Sequence, residues 1–273
     1  MHNAFSPVHA SHLQVQPQYS RRDAWNDLAN KEGLSYEVLE LSLPPALTES
    51  RRFELCRNWY RDSGRSVSLH GAFIDVNPAG SDAALCAESR RRCQQSCELA
   101  RFLGAQNVVF HSSCFPFLRG EYLERWADIC AAFYEELADT WNLNILIENS
   151  QDLDAAPLQA LMRRTLDPRI GVCLDIGHAN YSRMPLEQWF DCLGETIRYL
   201  HLSDNHGMFD DHLPLGAGTV DWETADAFWR RTGKEMPVTL EVGGIDGVKA
   251  SLAFLKEHGY FQKHEEGNGT NDI

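Results

Sequence analysis

Short apolar runs, each followed by a longer segment with helical spacing, recur along the whole chain, and this alternation restricts the fold more than any other feature. The runs fall at residues 12–18, 36–43, 66–73, 107–113, 144–150, 170–177, 197–204 and 237–244. They are β-branched or leucine-rich and too short for most helices. The first, HLQVQPQ, is the weakest strand candidate, with a proline and few aliphatics. Residues 81–104 and 120–142 are typical of the helical segments between them. In the former, Leu85, Cys93, Cys97, Leu99 and Ala100 are expected on one face, with Ser81 or Asp82 as the cap and Gly104 as the stop. Strand–helix alternation implies parallel neighbours, because parallel strands need a crossover. Eight units in 273 residues suit a single closed (β/α)8 TIM barrel, for which about 250 residues is typical. An open doubly wound sheet would usually carry a glycine-rich phosphate turn after its first strand, and none is present. The expected organisation is an N-terminal extension over 1–11, the barrel over 12–263 and a flexible tail over 264–273.

Hydrophobic residues make up 43% of the chain, enough for a continuous interior. No apolar stretch approaches the ~20 residues needed to cross a bilayer, so no membrane partner is expected. The opening MHNAFSPVHASH lacks the basic start and apolar block of a secretory signal. None of the eight cysteines falls in a CxxC pair, and Cys93 and Cys97 lie one helical turn apart. Reduced thiols in a cytoplasmic protein are the simpler expectation. The net charge of −14, from 39 acidic and 25 basic residues, leans against a nucleic-acid partner without deciding it. The basic clusters, such as Arg90-Arg91-Arg92, read as solvated helix faces.

The first polar, ligand-capable residue at the C-terminal end of successive runs forms a series. It consists of His70, His111, Glu148, Asp175 with His178 three residues later, His201 and Glu241. The segment after the seventh run, HLSDNHGMFDDHLPLGAG, adds Asp210 and His212. In a parallel barrel those ends open on one face, where chemistry resides in this architecture. A single histidine at a strand end is most often a satisfied structural group, and a single aspartate there a helix cap. Jointly, four carboxylates and five imidazoles at one barrel depth are costly to bury without compensation. One to three divalent ions, zinc or manganese, would compensate them. The five lysines lie away from strand ends, which disfavours Schiff-base chemistry. There is no G-x-S-x-G elbow and no P-loop. Cys114 reads as a packing residue.

These residues resemble the xylose-isomerase-like barrel superfamily. It holds sugar and sugar-phosphate isomerases and epimerases, and also the endonuclease IV type of apurinic-site nuclease (AP endonuclease family 2). The marks are IENS with Glu148, VCLDIGHA with Asp175 and His178, HLSDN with His201, HLPLGAGTVDW from His212, and LEVGG with Glu241. The resemblance implies that Glu148, Asp175, His201 and Glu241 bind one catalytic divalent ion, with His178 over the substrate in the isomerase branch. The nuclease branch uses a larger set for three zinc ions, which His70, His111 and the Asp210-Asp211-His212 segment would complete. HGAFID places Phe73 and Ile74 where that branch carries a pair involved in opening DNA. Its arginine-rich surroundings of D-x-H are replaced here by GMFDDHLPLG, and only Arg119 and Arg183 are expected near the mouth.

The expected function is therefore a divalent-metal-dependent sugar or sugar-phosphate isomerase or epimerase acting through a metal-stabilised enediolate. Glu148 and Glu241 would serve as base and acid. His178, Phe73 and Trp222 are the candidate substrate contacts, with Phe110 a further candidate for the apolar wall. The alternative is an endonuclease IV-like multi-zinc phosphoesterase acting on abasic DNA; a non-catalytic binding barrel is the third possibility.

Overall fold

A computed structural model describes residues 12–232 and 236–262. The expected 1–11 extension and 264–273 tail lie outside the described residues. The strands are β1 (Leu13–Val15), β2 (Ser35–Val38), β3 (Val67–His70), β4 (Asn107–His111), β5 (Asn144–Glu148), β6 (Ile170–Asp175), β7 (Ile197–Leu202) and β8 (Val238–Leu240). Each pairs in parallel with the next, and β8 closes on β1, so the sheet is a closed eight-stranded barrel. Even the weak first strand forms, held between β2 and β8. Helices follow the strands around the outside: α1 (Arg22–Glu32), α2 (Pro44–Thr48), α3 (Glu54–Arg61), α4 (Ala83–Leu103), α5 (Glu121–Trp141), α6 (Ala156–Met162), α7 (Ile176–Tyr181), α8 (Leu186–Leu193), α9 (Trp222–Thr232) and α10 (Gly244–His258). No helix among the described residues is long and apolar enough to cross a membrane.

Helix boundaries follow local chemistry. The Asp82 carboxylate accepts from Ala84 N and Leu85 N at the start of α4, and Gly104 ends it at φ 76°. Cys93, Cys97, Leu99 and Ala100 are buried as their spacing requires. Leu85 departs from that face and is 69% exposed, in a first turn of α4 that is exposed throughout at Ala83 and Ala84.

Alternation along the strands builds two environments. Val108, Phe110, Ile145, Ile147, Val172, Leu174, Leu200 and Leu202 face the helices and form the main apolar layer. The opposite parity puts Val109, Leu146, Cys173 and Tyr199 inside the barrel as a separate small cluster. The same parity continues to His111, Glu148, Asp175 and His201, so these side chains point inward above that plug.

The connection from β7 to α9 is long and carries Asp210 and His212. It is pinned by Asp204, whose backbone pairs with Leu213. Its buried carboxylate accepts four hydrogen bonds: from Asn205 N (2.9 Å) and Val220 N (3.1 Å) on Oδ1, and from Gly216 N (2.9 Å) and Trp222 Nε1 (3.0 Å) on Oδ2. Gly218 passes so close that a Cβ there would collide with the Asn205 carbonyl and Asp204. An amide at position 204 turns an N–H group toward these donors. Asp204→Asn is therefore expected to cost about 2 kcal/mol or more, read from urea unfolding; an unchanged midpoint would remove the pinning role.

Candidate metal centre

The structure brings the predicted strand-end residues together. Parallel pairing places His111 beside Glu148 and Asp175 beside His201 in register. Glu148 lies at the centre and is fully buried. Its Oε2 faces His70 Nε2 at 3.4 Å and His111 Nε2 at 3.6 Å. Its Oε1 faces His201 Nδ1 at 3.3 Å and His178 Nδ1 at 3.4 Å. His201 Nδ1 also lies 3.0 Å from Glu241 Oε2 and 4.0 Å from Asp175 Oδ2. On the mouth side, Asp210 Oδ2 lies 3.2 Å from His178 Nε2 and 3.0 Å from His212 Nε2.

Most of the imidazoles are oriented by a bond at their other nitrogen. His70 Nδ1 meets the Gly71 carbonyl at 3.0 Å, His178 Nδ1 the Asn149 carbonyl at 2.7 Å and His212 Nδ1 the Glu241 carbonyl at 2.7 Å. Carbonyls only accept, so each of these nitrogens carries the proton and leaves the ring's second nitrogen as a lone pair when the ring is neutral. His201 is held at Nε2 by Glu37 Oε2 at 3.0 Å. His212 adopts φ 47°, a left-handed conformation uncommon for a non-glycine residue, which directs its ring back over Glu241.

Four buried atoms converge here with no hydrogen-bond partner: Glu148 Oε1, Glu148 Oε2, Asp175 Oδ2 and His201 Nδ1. Buried polar atoms normally find partners, and when His201 is neutral its Nδ1 lone pair and the carboxylate oxygens of Glu148 and Asp175 together call for a cation. Glu148, Asp175, His201 and Glu241 offer ligand atoms that all lie within 4.8 Å of one another, as do His70, His111 and Glu148. Carboxylate oxygens and imidazole nitrogens suit a divalent ion such as zinc or manganese. The donor set therefore fits a metal.

Electrostatics agree. Burial opposes ionisation of Glu148 and Glu241, but the facing imidazoles, His201 above all, outweigh it and hold both below the usual carboxylate range. Burial opposes charge on His201, yet Cys173, Glu37, Glu148 and Glu241 together push it up. His178 is likewise raised against burial, mainly by Asp175 and by its bond to Asp210. His212 is raised to about 9, chiefly by its hydrogen bond to Asp210. Asp175, buried beside Glu148 and Glu241, is pushed up to about 7. Burial, with the neighbouring His70 and His178, takes His111 down to about 4.

A cavity of about 400 Å³ opens over the cluster, walled by Phe73 and Leu39 and lined by Gln16, Glu40, Val242 and Gly243 besides the ligand residues. Among the described residues that line it there is no arginine or lysine. Two expected contacts lie elsewhere. Trp222 is buried at the start of α9, bonded to Asp204, and does not line the cavity. Phe110 faces outward into the core, its ring against Gly71. Arg119 pairs with Asp154 at 2.9 Å instead of facing the cluster. The Cys114 thiol is buried and burial pushes it up to about 12, which disfavours the thiolate and fits a packing residue. The sequence pattern of strand-end residues passes over Glu37 and Gln16. Glu37 lies inside an apolar run, in register with Ser68 and one step below the Val38–Leu69 pair, so a search for the first polar residue after each run overlooks it. Its signal is a carboxylate at the inward parity, between outward Tyr36 and Val38.

A parallel barrel with imidazoles and carboxylates gathered inside its C-terminal rim defines a class of barrel built around such a centre. The chain belongs to the xylose isomerase-like TIM barrel family, whose pattern matches residues 28–258. It is 25% identical over 203 residues to the uncharacterized protein MJ1311 of Methanocaldococcus jannaschii, covering 70% of this chain and 69% of that one. The TTHB071 protein from Thermus thermophilus, in a structure soaked with ZnCl2, superposes with a TM-score of 0.72 at 25% identity, over 90% of this chain and 97% of that one. A D-tagatose 3-epimerase-like protein shares the fold with a TM-score of 0.71 at 21% identity, over 82% of this chain and 87% of that one.

Ligand imidazoles must be neutral to bind, whereas the surrounding carboxylates favour the protonated forms of His178, His201 and His212 in the metal-free protein. Apparent metal affinity is expected to rise with pH, continuing toward the His212 value of about 9. Each binding event should release protons, measured by titration calorimetry in buffers of differing ionisation enthalpy. Affinity independent of pH between 6 and about 9 would contradict this charge assignment.

Proposed function

We propose that the protein is a divalent-metal-dependent isomerase or epimerase of a small sugar. The observation that carries this reading is that Glu148 and Glu241, from strands on different sides of the ring, flank His201 Nδ1 at 3.3 and 3.0 Å beneath the cavity. Glu148, Asp175, His201 and Glu241 would hold the catalytic ion. When bound, the ion supplies a Lewis acid that favours the enediolate of a hydroxycarbonyl substrate. One carboxylate takes the α-proton and the other returns a proton from the opposite side, which inverts the carbon. His178 at the rim and Phe73 on the wall orient the sugar. The absence of arginine and lysine from the described cavity lining favours an unphosphorylated substrate over a sugar phosphate. Likeness of fold to a D-tagatose 3-epimerase-like protein supports the reading.

A second reading, phosphoester hydrolysis on abasic DNA, is favoured by one observation. His70 and His111 on one side of Glu148, and Asp210 bridging His178 and His212 on the other, extend the ligand set beyond the four needed for one ion. These residues would hold two or three zinc ions, which would supply water activation and charge stabilisation for phosphoester hydrolysis. The −14 net charge and the cation-free lining count against it.

The test is a count of ions per chain, followed by a ketose panel incubated in D2O with manganese, cobalt or zinc. Deuterium incorporation or epimer formation is read by NMR, beside an incision assay on an abasic oligonucleotide. Ketose exchange is expected, with Glu241→Gln slowing it about 10³-fold while the circular dichroism stays unchanged. Incision with no ketose exchange would replace the first reading by the second; full rate in Glu241→Gln would remove the role given to that carboxylate.

A further inference from the structure

We propose that Glu37 is the positioning residue of this centre, holding His201 with Nδ1 turned to the ligand cluster and, through Gln16, setting the carboxylate of Glu241. The proposal rests on the cluster holding a divalent ion.

Glu37 is fully buried in β2, below the ligand layer. Its Oε2 meets His201 Nε2 at 3.0 Å, the Tyr199 hydroxyl at 2.6 Å and the Thr239 hydroxyl at 3.2 Å. Its Oε1 accepts from Gln16 Nε2 at 2.8 Å. The same Gln16 amide nitrogen donates to Glu241 Oε1 at 2.9 Å. Partners from β7, β8 and the end of β1 thus converge on one carboxylate.

This arrangement answers a problem of tautomers. A neutral imidazole carries one proton, and His201 Nδ1 is surrounded by carboxylate oxygens of Glu148, Asp175 and Glu241 at 3.3, 4.0 and 3.0 Å. Left alone, these acceptors would draw the proton to Nδ1 and remove it as a ligand. An acceptor at Nε2 is the counterweight, and an ionised carboxylate accepts only. Glu37 is suited to that role because the Tyr199 and Thr239 hydroxyls and the Gln16 amide already meet its carboxylate as donors. The Gln16 link extends the control to a second ligand. With one amide proton on Glu37 and the other on Glu241 Oε1, it leaves Glu241 Oε2 directed at His201 and the ion site.

Glu37→Gln is the sharp variant. Its amide must present N–H either to the donors at Oε2, losing the hold on His201, or to Gln16, whose flip would set an amide oxygen against Glu241. Gln16→Ala is the companion: Gln16 is only half-buried at the end of β1, and its loss cuts the Glu241 link while leaving Glu37 on His201. The measurement is Co(II) affinity of the full chain by chelator competition, with the cobalt d–d absorption spectrum and urea unfolding of the metal-free protein alongside. Ligand-orienting partners typically govern roughly 10- to 100-fold in affinity. Glu37→Gln is expected to weaken cobalt binding by that much and to alter the spectrum. Gln16→Ala should weaken it several-fold with no change in metal-free stability. The proposal falls if Glu37→Gln folds and binds cobalt within twofold of the parent with the same spectrum. If Glu37→Gln does not fold, it falls if Gln16→Ala is within twofold. A parent chain that binds no cobalt would overturn the metal centre itself, a failure distinct from equal binding by parent and variants.

Discussion

Both carboxylate oxygens of Glu148 are buried without a hydrogen-bond donor, and imidazole nitrogens from three other strand ends and from α7 face them. A carboxylate in that position costs several kcal/mol unless charge is brought to it. The surrounding structure is arranged to bring that charge. In His70, His201 and His212 the nitrogen turned away from Glu148 or Asp210 is held by a carbonyl or by Glu37, so that its partner nitrogen points inward. Deleting one partner would leave the rest as uncompensated buried charge, which makes the cluster a unit and not a sum of pairs.

That unit stands on an unusually polar barrel interior. Small barrels are filled by side chains, commonly bulky aliphatics. Here the apolar plug is confined to Val109, Leu146, Cys173 and Tyr199. On the other side of the barrel, Gln14, Glu37 and Thr239 form a hydrogen-bonded floor through the Tyr199 hydroxyl. The helix-facing layer supplies the apolar burial, and the interior supplies donors and acceptors in fixed directions. Rigid strands therefore carry most of the candidate ligand set, with His178 in α7 and Asp210 and His212 on a loop.

The loop residues Asp210 and His212 need separate support. They lie in the connection from β7 to α9, outside the ladders of the barrel. Asp204 provides a substitute by gathering backbone amides from three points of the loop and the Trp222 indole. The result explains why the HLSDN and LGAG segments flank the ligands: the first supplies the acceptor and the second the tight backbone passage at Gly216 and Gly218.

Much of this was legible in the chain. Each of the eight runs begins within one residue of its strand, and Asp82 and Gly104 bound α4 as read. Local patterning decides these because apolar alternation and capping act over a few residues. The placement of the rim residues was legible too, since parallel strands all end on one face and the polar residues at the C-terminal ends of the runs must lie there. Leu85, Trp222 and Phe110 lie elsewhere than expected because the covering of a helix end, loop closure and strand parity at a glycine contact depend on partners far away in sequence. Glu37 and Gln16 escaped for the same reason: their meaning lies in bonds to His201 and Glu241, 164 and 225 residues further along. Composition and periodicity alone determined a parallel barrel with ligand-bearing rims. Only the folded barrel decided which nitrogen of His178, His201 and His212 faces the centre, because Asn149, Glu37 and Glu241 turn those rings through contacts the unfolded chain does not contain.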